Sequence, residues 1–76
     1  EPKWPADGVA ANITSPVLVE HLARLAGWTR QGAWGVFSGV NDANAPRVRE
    51  ALKAASWRLD EEITESDWHA FRCTRV

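Results

Sequence analysis

With 76 residues the chain has room for one domain and one core, and a second domain is excluded. An apolar fraction of 45% against 25% charged excludes wholesale disorder. The net charge of −1 lacks the basic footprint of a dedicated nucleic-acid binder, so any affinity for phosphates must come from local clusters.

Glu1 opens the chain in place of an initiator Met, and a piece of a longer protein is expected. Residues 1–14 carry Pro2, Pro5 and Gly8 without periodicity and read as an extended lead-in or linker to a domain at 15–76. Trp4 and Ile13 are its candidates for packing onto that domain. A helix is predicted from Ser15, whose hydroxyl suits a free backbone N–H, with Pro16 where a missing donor is harmless. Leu18, Leu22 and Leu25 line its core face, Glu20 and Arg24 point elsewhere, and Gly27 ends it.

From residue 29 the chain reads TRQGAWGVFSG. Thr29 is a candidate cap for a short second helix carrying Ala33, Val36 and Phe37 inward, although Gly32 and Gly35 each cost about 1 kcal/mol relative to Ala. After a connection over 40–43, Asn44 is placed as the cap of a third helix with Pro46 in its first turn. Val48, Leu52 and Ala55 repeat at helical spacing, leaving Arg47, Arg49, Glu50, Lys53 and Ser56 on the outer faces. The last twenty residues admit two readings. With period two, 57–63 and 68–76 form a β-hairpin around the turn Thr64-Glu65-Ser66-Asp67. As a helix, Thr64 and Asp67 form a capping-box-like pair and Trp68, Phe71 and Arg72 share a face; the hairpin is favoured by the strand-type residues at the end.

The fold class expected is α+β, a three-helix helix-turn-helix core with a C-terminal β-hairpin, as in a winged helix. The alternative is an all-α four-helix domain. Five tryptophans stand against two phenylalanines and no tyrosine, and Trp28, Trp34, Trp57 and Trp68 are expected to supply much of the core.

Chemistry is sparse. His21, His69 and Cys73 are the soft metal-ligand candidates, fewer than the four a structural zinc site normally needs, so neither metal nor cofactor is expected. One cysteine excludes an internal disulfide. No serine, threonine or cysteine stands beside a base at recognisable spacing, and Gly32, Gly35 and Gly39 lack the strand and the Lys-Ser/Thr pair of a phosphate loop. The chain is expected not to be an enzyme. No run approaches the ~20 apolar residues of a membrane helix, and a soluble, cytoplasmic protein is expected.

Leu25-Ala26-Gly27-Trp28-Thr29, Val36-Phe37-Ser38-Gly39 and the helix at 47–55 resemble the helix-turn-helix headpiece of LacI-type repressors, whose pattern is roughly LAGVSxxTVSRVLNG before a capped third helix. The resemblance implies that Arg30 and Gln31, the two residues after the capping position, read base edges, and both side chains suit that role. The helix running into a Trp-flanked hairpin is also similar to winged-helix modules. That similarity implies that Arg47, Arg49 and Lys53 enter the groove while Arg72 and Arg75 contact phosphates from the wing. Asp60-Glu61-Glu62 would repel phosphates unless its strand faces away. The function expected is therefore a small DNA-binding domain acting on double-stranded DNA in transcription regulation. The alternative is a protein-interaction module of the same fold, anchored by Trp34 or Trp68 in an exposed apolar patch.

Overall fold

The computed structural model describes residues 4–12 and 14–76; Ile13 lies outside them. Along the chain run strand β1 (Ala6–Asn12), helix α1 (Ser15–Gly27), strand β2 (Thr29–Asn41), helix α2 (Ala45–Ala54), strand β3 (Trp57–Glu65) and strand β4 (Trp68–Arg75). The strands form one mixed sheet in the order β1-β2-β4-β3. β1 runs parallel to β2, joined to it by α1, while β4 is antiparallel to both of its neighbours, β2 and β3. Both helices pack on one face of this sheet, giving a two-layer α/β unit.

Each helix is built as an amphipathic stripe. α1 begins at Ser15 with Pro16 in its first turn, and the Leu18 N–H donates to the Thr14 carbonyl at 2.9 Å. Leu18, Leu22 and Ala26 are buried, and Leu25 packs at the margin. The spacing of Val48 and Leu52 on α2 does the same, with Ala51 and Ala55 alongside. Against these stripes the sheet presents Phe37 and Val40 from β2, Phe71 and Cys73 from β4, and Trp57 from β3. Trp57 ties the layers together: its Nε1–H donates to the Leu22 carbonyl at 3.1 Å, and its ring meets Phe37 edge-on, with centroids 5.2 Å apart.

The helix-turn-helix expectation is overturned, and the four-helix alternative with it. Residues 29–41, the supposed second helix, are the long strand β2. Thr29 does not cap a following helix; its hydroxyl donates back to the Leu25 and Ala26 carbonyls at 3.2 and 2.9 Å, closing the end of α1. Inward positions of β2 alternate as Ala33, Gly35 and Phe37. Gly35 is small because it must be: a Cβ there would sit 2.7 Å from the Trp57 ring and 3.0 Å from Phe37. The segment at 57–76 does form a hairpin, closed by Ser66 and Asp67 with Glu65 opposite Trp68, but β4 also pairs along β2 and so sits inside the sheet instead of forming a wing. Ala6–Asn12, within the extended lead-in, is the edge strand β1.

The expected tryptophan core is corrected too. Trp57 is 2% exposed, whereas Trp28, Trp34 and Trp68 are each more than half exposed.

Candidate functional site

One face of the sheet carries both helices; the other carries none. Because side chains alternate along a strand, the residues between the core positions emerge on this second face. Trp34 and Val36 come from β2, Ala70 and Arg72 from the paired stretch of β4, and Ile63 lies opposite Ala70 on β3. Trp34, Ile63 and Trp68 are 53%, 52% and 57% exposed. The Trp34 indole lies across β1, where it fills the space a Cβ at Gly8 would take. At the other end, Trp68 stands between two concavities open to solvent. One, about 320 Å³, is lined by Ser38, Ile63, Glu65 and Ala70 among others. The other, about 500 Å³, is lined by Asn12, Thr14, Val17 and Gly39.

A polar chain braces this end of the sheet from the helix side. Arg49 on α2 grips Glu62 on β3 through two hydrogen bonds of 2.7 and 2.8 Å. Glu62 in turn accepts from His69 Nδ1 at 2.6 Å, and Asp42, in the turn after β2, meets His69 Nε2 at 2.5 Å. The Thr64 hydroxyl lies 3.4 Å from Nδ1, and the ring stacks over Phe71. With a carboxylate at each ring nitrogen, both nitrogens serve as donors only in the imidazolium form. The hydrogen bond to Asp42, followed by that to Glu62, raises the His69 pKa above its usual value despite burial. Arg49, and then His69, hold Glu62 below the usual carboxylate range.

These two shifts set a stability window. The His69 contribution is complete below the unfolded-state pKa of about 6.5 and is lost as pH rises through the elevated folded value. The Glu62 contribution is complete above about 4.3 and is lost as pH falls through its depressed folded value. Melting temperature should therefore decline as pH climbs above about 6.5, and His69→Gln should flatten that decline. An equally steep decline in the variant would remove His69 as its source.

The basic residues expected to meet DNA do not share a surface. Arg30 and Gln31 lie in a bulge where the β1–β2 register jumps from Ala6↔Thr29 to Gly8↔Trp34. Arg30 is engaged there by Asp7 at 2.7 Å and by the Pro5 carbonyl. Arg47, Arg49 and Lys53 are on α2, the opposite side from Arg72, and Arg49 is held by Glu62. Arg72 pairs with Glu61 at 3.2 Å, while Arg75 buries its Nε at the end of β4. Both α1 and α2 turn their apolar stripes to the sheet. Trp34 and Trp68 do share the open face, at its two ends. Of the metal-ligand candidates, Cys73 is buried, with its thiol pushed up to about 12, chiefly by burial. No cluster able to hold a metal occurs among the described residues.

Sequence reasoning missed Asp42 and Glu62 as partners of His69, and Ile63 as part of the open face. The period-two pairing that sets Thr64 opposite His69 is the signal that would have aligned them.

These features define a two-layer α/β module with both helices on one face of a mixed sheet. The model of the ribosomal protein L11 methyltransferase (PrmA) family matches residues 1–76, and the chain belongs to that family. It is 39% identical over 64 residues to the ribosomal protein L11 methyltransferase of Gloeobacter violaceus, covering 84% of this chain and 20% of that protein. The enzyme of the same name from Thermosynechococcus vestitus is 39% identical over 62 residues, covering 82% of this chain and 21% of the other. The crystal structure of a ribosomal protein L11 methylase from Lactobacillus delbrueckii subsp. bulgaricus superposes with a TM-score of 0.86 at 23% identity, over 91% of this chain and 36% of that one. The chain thus spans about a fifth of the length of the curated relatives it matches.

This membership overturns the DNA-binding and transcription-regulation assignment, and double-stranded DNA as the partner. The resemblance to LacI-type and winged-helix modules was local: its motifs fall on a strand and on a helix packed against a sheet. The interaction module loses the helix-turn-helix fold on which it was expected, while a protein partner as such is compatible with the family's name. The expectation of a non-enzymatic protein is likewise corrected, because the family is one of enzymes.

Proposed function

We propose that this chain is the part of a ribosomal protein L11 methyltransferase that holds the protein substrate, ribosomal protein L11, while methyl transfer takes place in the remainder of the enzyme. The observation that carries this is the open sheet face. Trp34, Ile63 and Trp68 stay half exposed on rigid strands there, on a side that neither helix covers. Large exposed apolar side chains gathered on one face mark an interaction surface, and aromatic anchors supply most of the energy in such contacts. The family name supports a protein as the partner. Both concavities described above are open grooves, and the Cys73 thiol is buried. No step of the transfer is therefore assigned to these residues. A ribosomal-protein partner fits a cytoplasmic location, and among the described residues no helix is long and apolar enough to cross a membrane.

Titration of the isotope-labelled chain with purified L11, followed by NMR, tests the docking role. Resonances of Trp34, Val36, Ile63, Trp68 and Ala70 should shift, while Arg47 and Lys53 on the outside of α2 should not. Shifts confined to the helices, or none, would overturn it.

A further inference from the structure

We infer that the groove beside Trp68 receives a cationic side chain, lysine or arginine, of the protein partner; this rests on the docking role proposed above. The groove has a volume of about 320 Å³, at the small end of the ~300–1,000 Å³ range for ligand pockets. Its lining combines the apolar Ile63 and Ala70 with Glu65 and Trp68, and includes Ser38, Gly39, Ser66 and His69, whose ring nitrogens are taken up by Glu62 and Asp42. Glu65 and Trp68 are directly opposed across the hairpin, so carboxylate and indole are held as neighbours by backbone pairing. The two-residue turn that joins them has Ser66 at φ 53°, and the Asp42 N–H donates to the Asp67 carbonyl at 2.9 Å, anchoring the tip to the rest of the fold.

The three chemistries present match one kind of occupant. Apolar side chains take an aliphatic stem, an exposed indole attracts a cation, and a carboxylate completes the pairing. Lysine and arginine carry both a stem and a cationic head. The surrounding charge selects the same sign. Glu65 and Asp67 lie at the hairpin tip beside the groove, while Asp42 and Glu62, on the helix side, are balanced by His69 and Arg49. The cations beside them are already engaged: Arg49 by Glu62, and His69 between Glu62 and Asp42. Farther along the face, Arg72 is held by Glu61. A phosphate would be repelled here, and a purely apolar occupant would cover Glu65 without pairing it, at a desolvation cost.

The indole N–H resonance of Trp68 provides the first readout. N-acetyl-lysine amide and N-acetyl-arginine amide should shift it at low salt, and N-acetyl-norleucine amide, which has a stem but no charge, should not. With L11 as the probe, Trp68→Leu should raise Kd about tenfold and Trp68→Phe less. Glu65→Gln should raise it roughly threefold and weaken its salt dependence, with Glu65→Lys raising it further. Trp68 and Glu65 are exposed, so these variants keep the core. If L11 shifts the open face around Trp34 but is indifferent to both Glu65 variants, the cation groove is overturned and the docking role stands. If L11 shifts no residue of that face, the docking role falls and the inference with it. Equal response to the lysine and norleucine amides overturns the cation groove in either case.

Discussion

Trp57→Ala is expected to remove about 3–5 kcal/mol of folding stability, the range for deleting a large buried aromatic. A domain of this size has about 4–11 kcal/mol in total at ~0.05–0.15 kcal/mol per residue, so this one substitution removes a large share of it. Three losses coincide. The ring is 2% exposed, at the junction of α1, β2 and β3. Its edge-on contact with Phe37 disappears, and so does the hydrogen bond from its Nε1 to the Leu22 carbonyl. Trp57→Phe separates these contributions by keeping an aromatic ring and removing the donor, and should fall between the two. Urea denaturation measures both, and a loss below about 1 kcal/mol for the alanine variant would show that the interior does not depend on this ring.

Gly35→Ala should cost about 1–3 kcal/mol, an overpacking penalty from a single methyl group. The new Cβ would lie 2.7 Å from the Trp57 ring and 3.0 Å from Phe37, two side chains locked against each other in the interior. Gly8→Ala makes the informative comparison. Its Cβ would come within 2.0 Å of the Trp34 indole, a worse clash on paper. Trp34 is half exposed on the free face, so its ring can swing into solvent. Gly8→Ala should therefore alter Trp34 fluorescence with little change in the denaturation midpoint, and Gly35→Ala should move the midpoint. The reverse pattern would place the rigid packing on the wrong side of the sheet.

The local elements are legible in the sequence to different degrees. Both helices show because their apolar residues repeat at helical spacing and Pro16 and Pro46 punctuate their starts. The hairpin shows because strand-type residues flank a polar turn. β2 is concealed by the same features that make it work: Ala33 and Gly35 are too small to register as a hydrophobic alternation, and a register shift between Phe37 and Val40 breaks the period of two. β1 is hidden for a related reason, since ADGVAAN is poor in β-branched and aromatic residues and draws its stability from pairing with β2. At the site, Trp34 and Trp68 are exposed, and the face they share depends on strand order, which the sequence does not display. The bridge of Asp42 and Glu62 across His69 joins residues 27 and 7 positions away in the chain, a convergence that only the assembled sheet creates.

The position of β4 governs how the molecule folds. The fourth strand of this sheet in chain order is an inner one, hydrogen-bonded on both sides, so β1 with β2 and the isolated β3 remain two unjoined pieces until β4 enters between them. Until β4 is made, the edge of β2 that it covers stays unpaired and Trp57 lacks its sheet. Assembly therefore waits on contacts distant in sequence, which slows it relative to a helical bundle and makes it all-or-none. During synthesis this segment gains protection from strand-to-strand aggregation only when its C-terminal strand has left the ribosome.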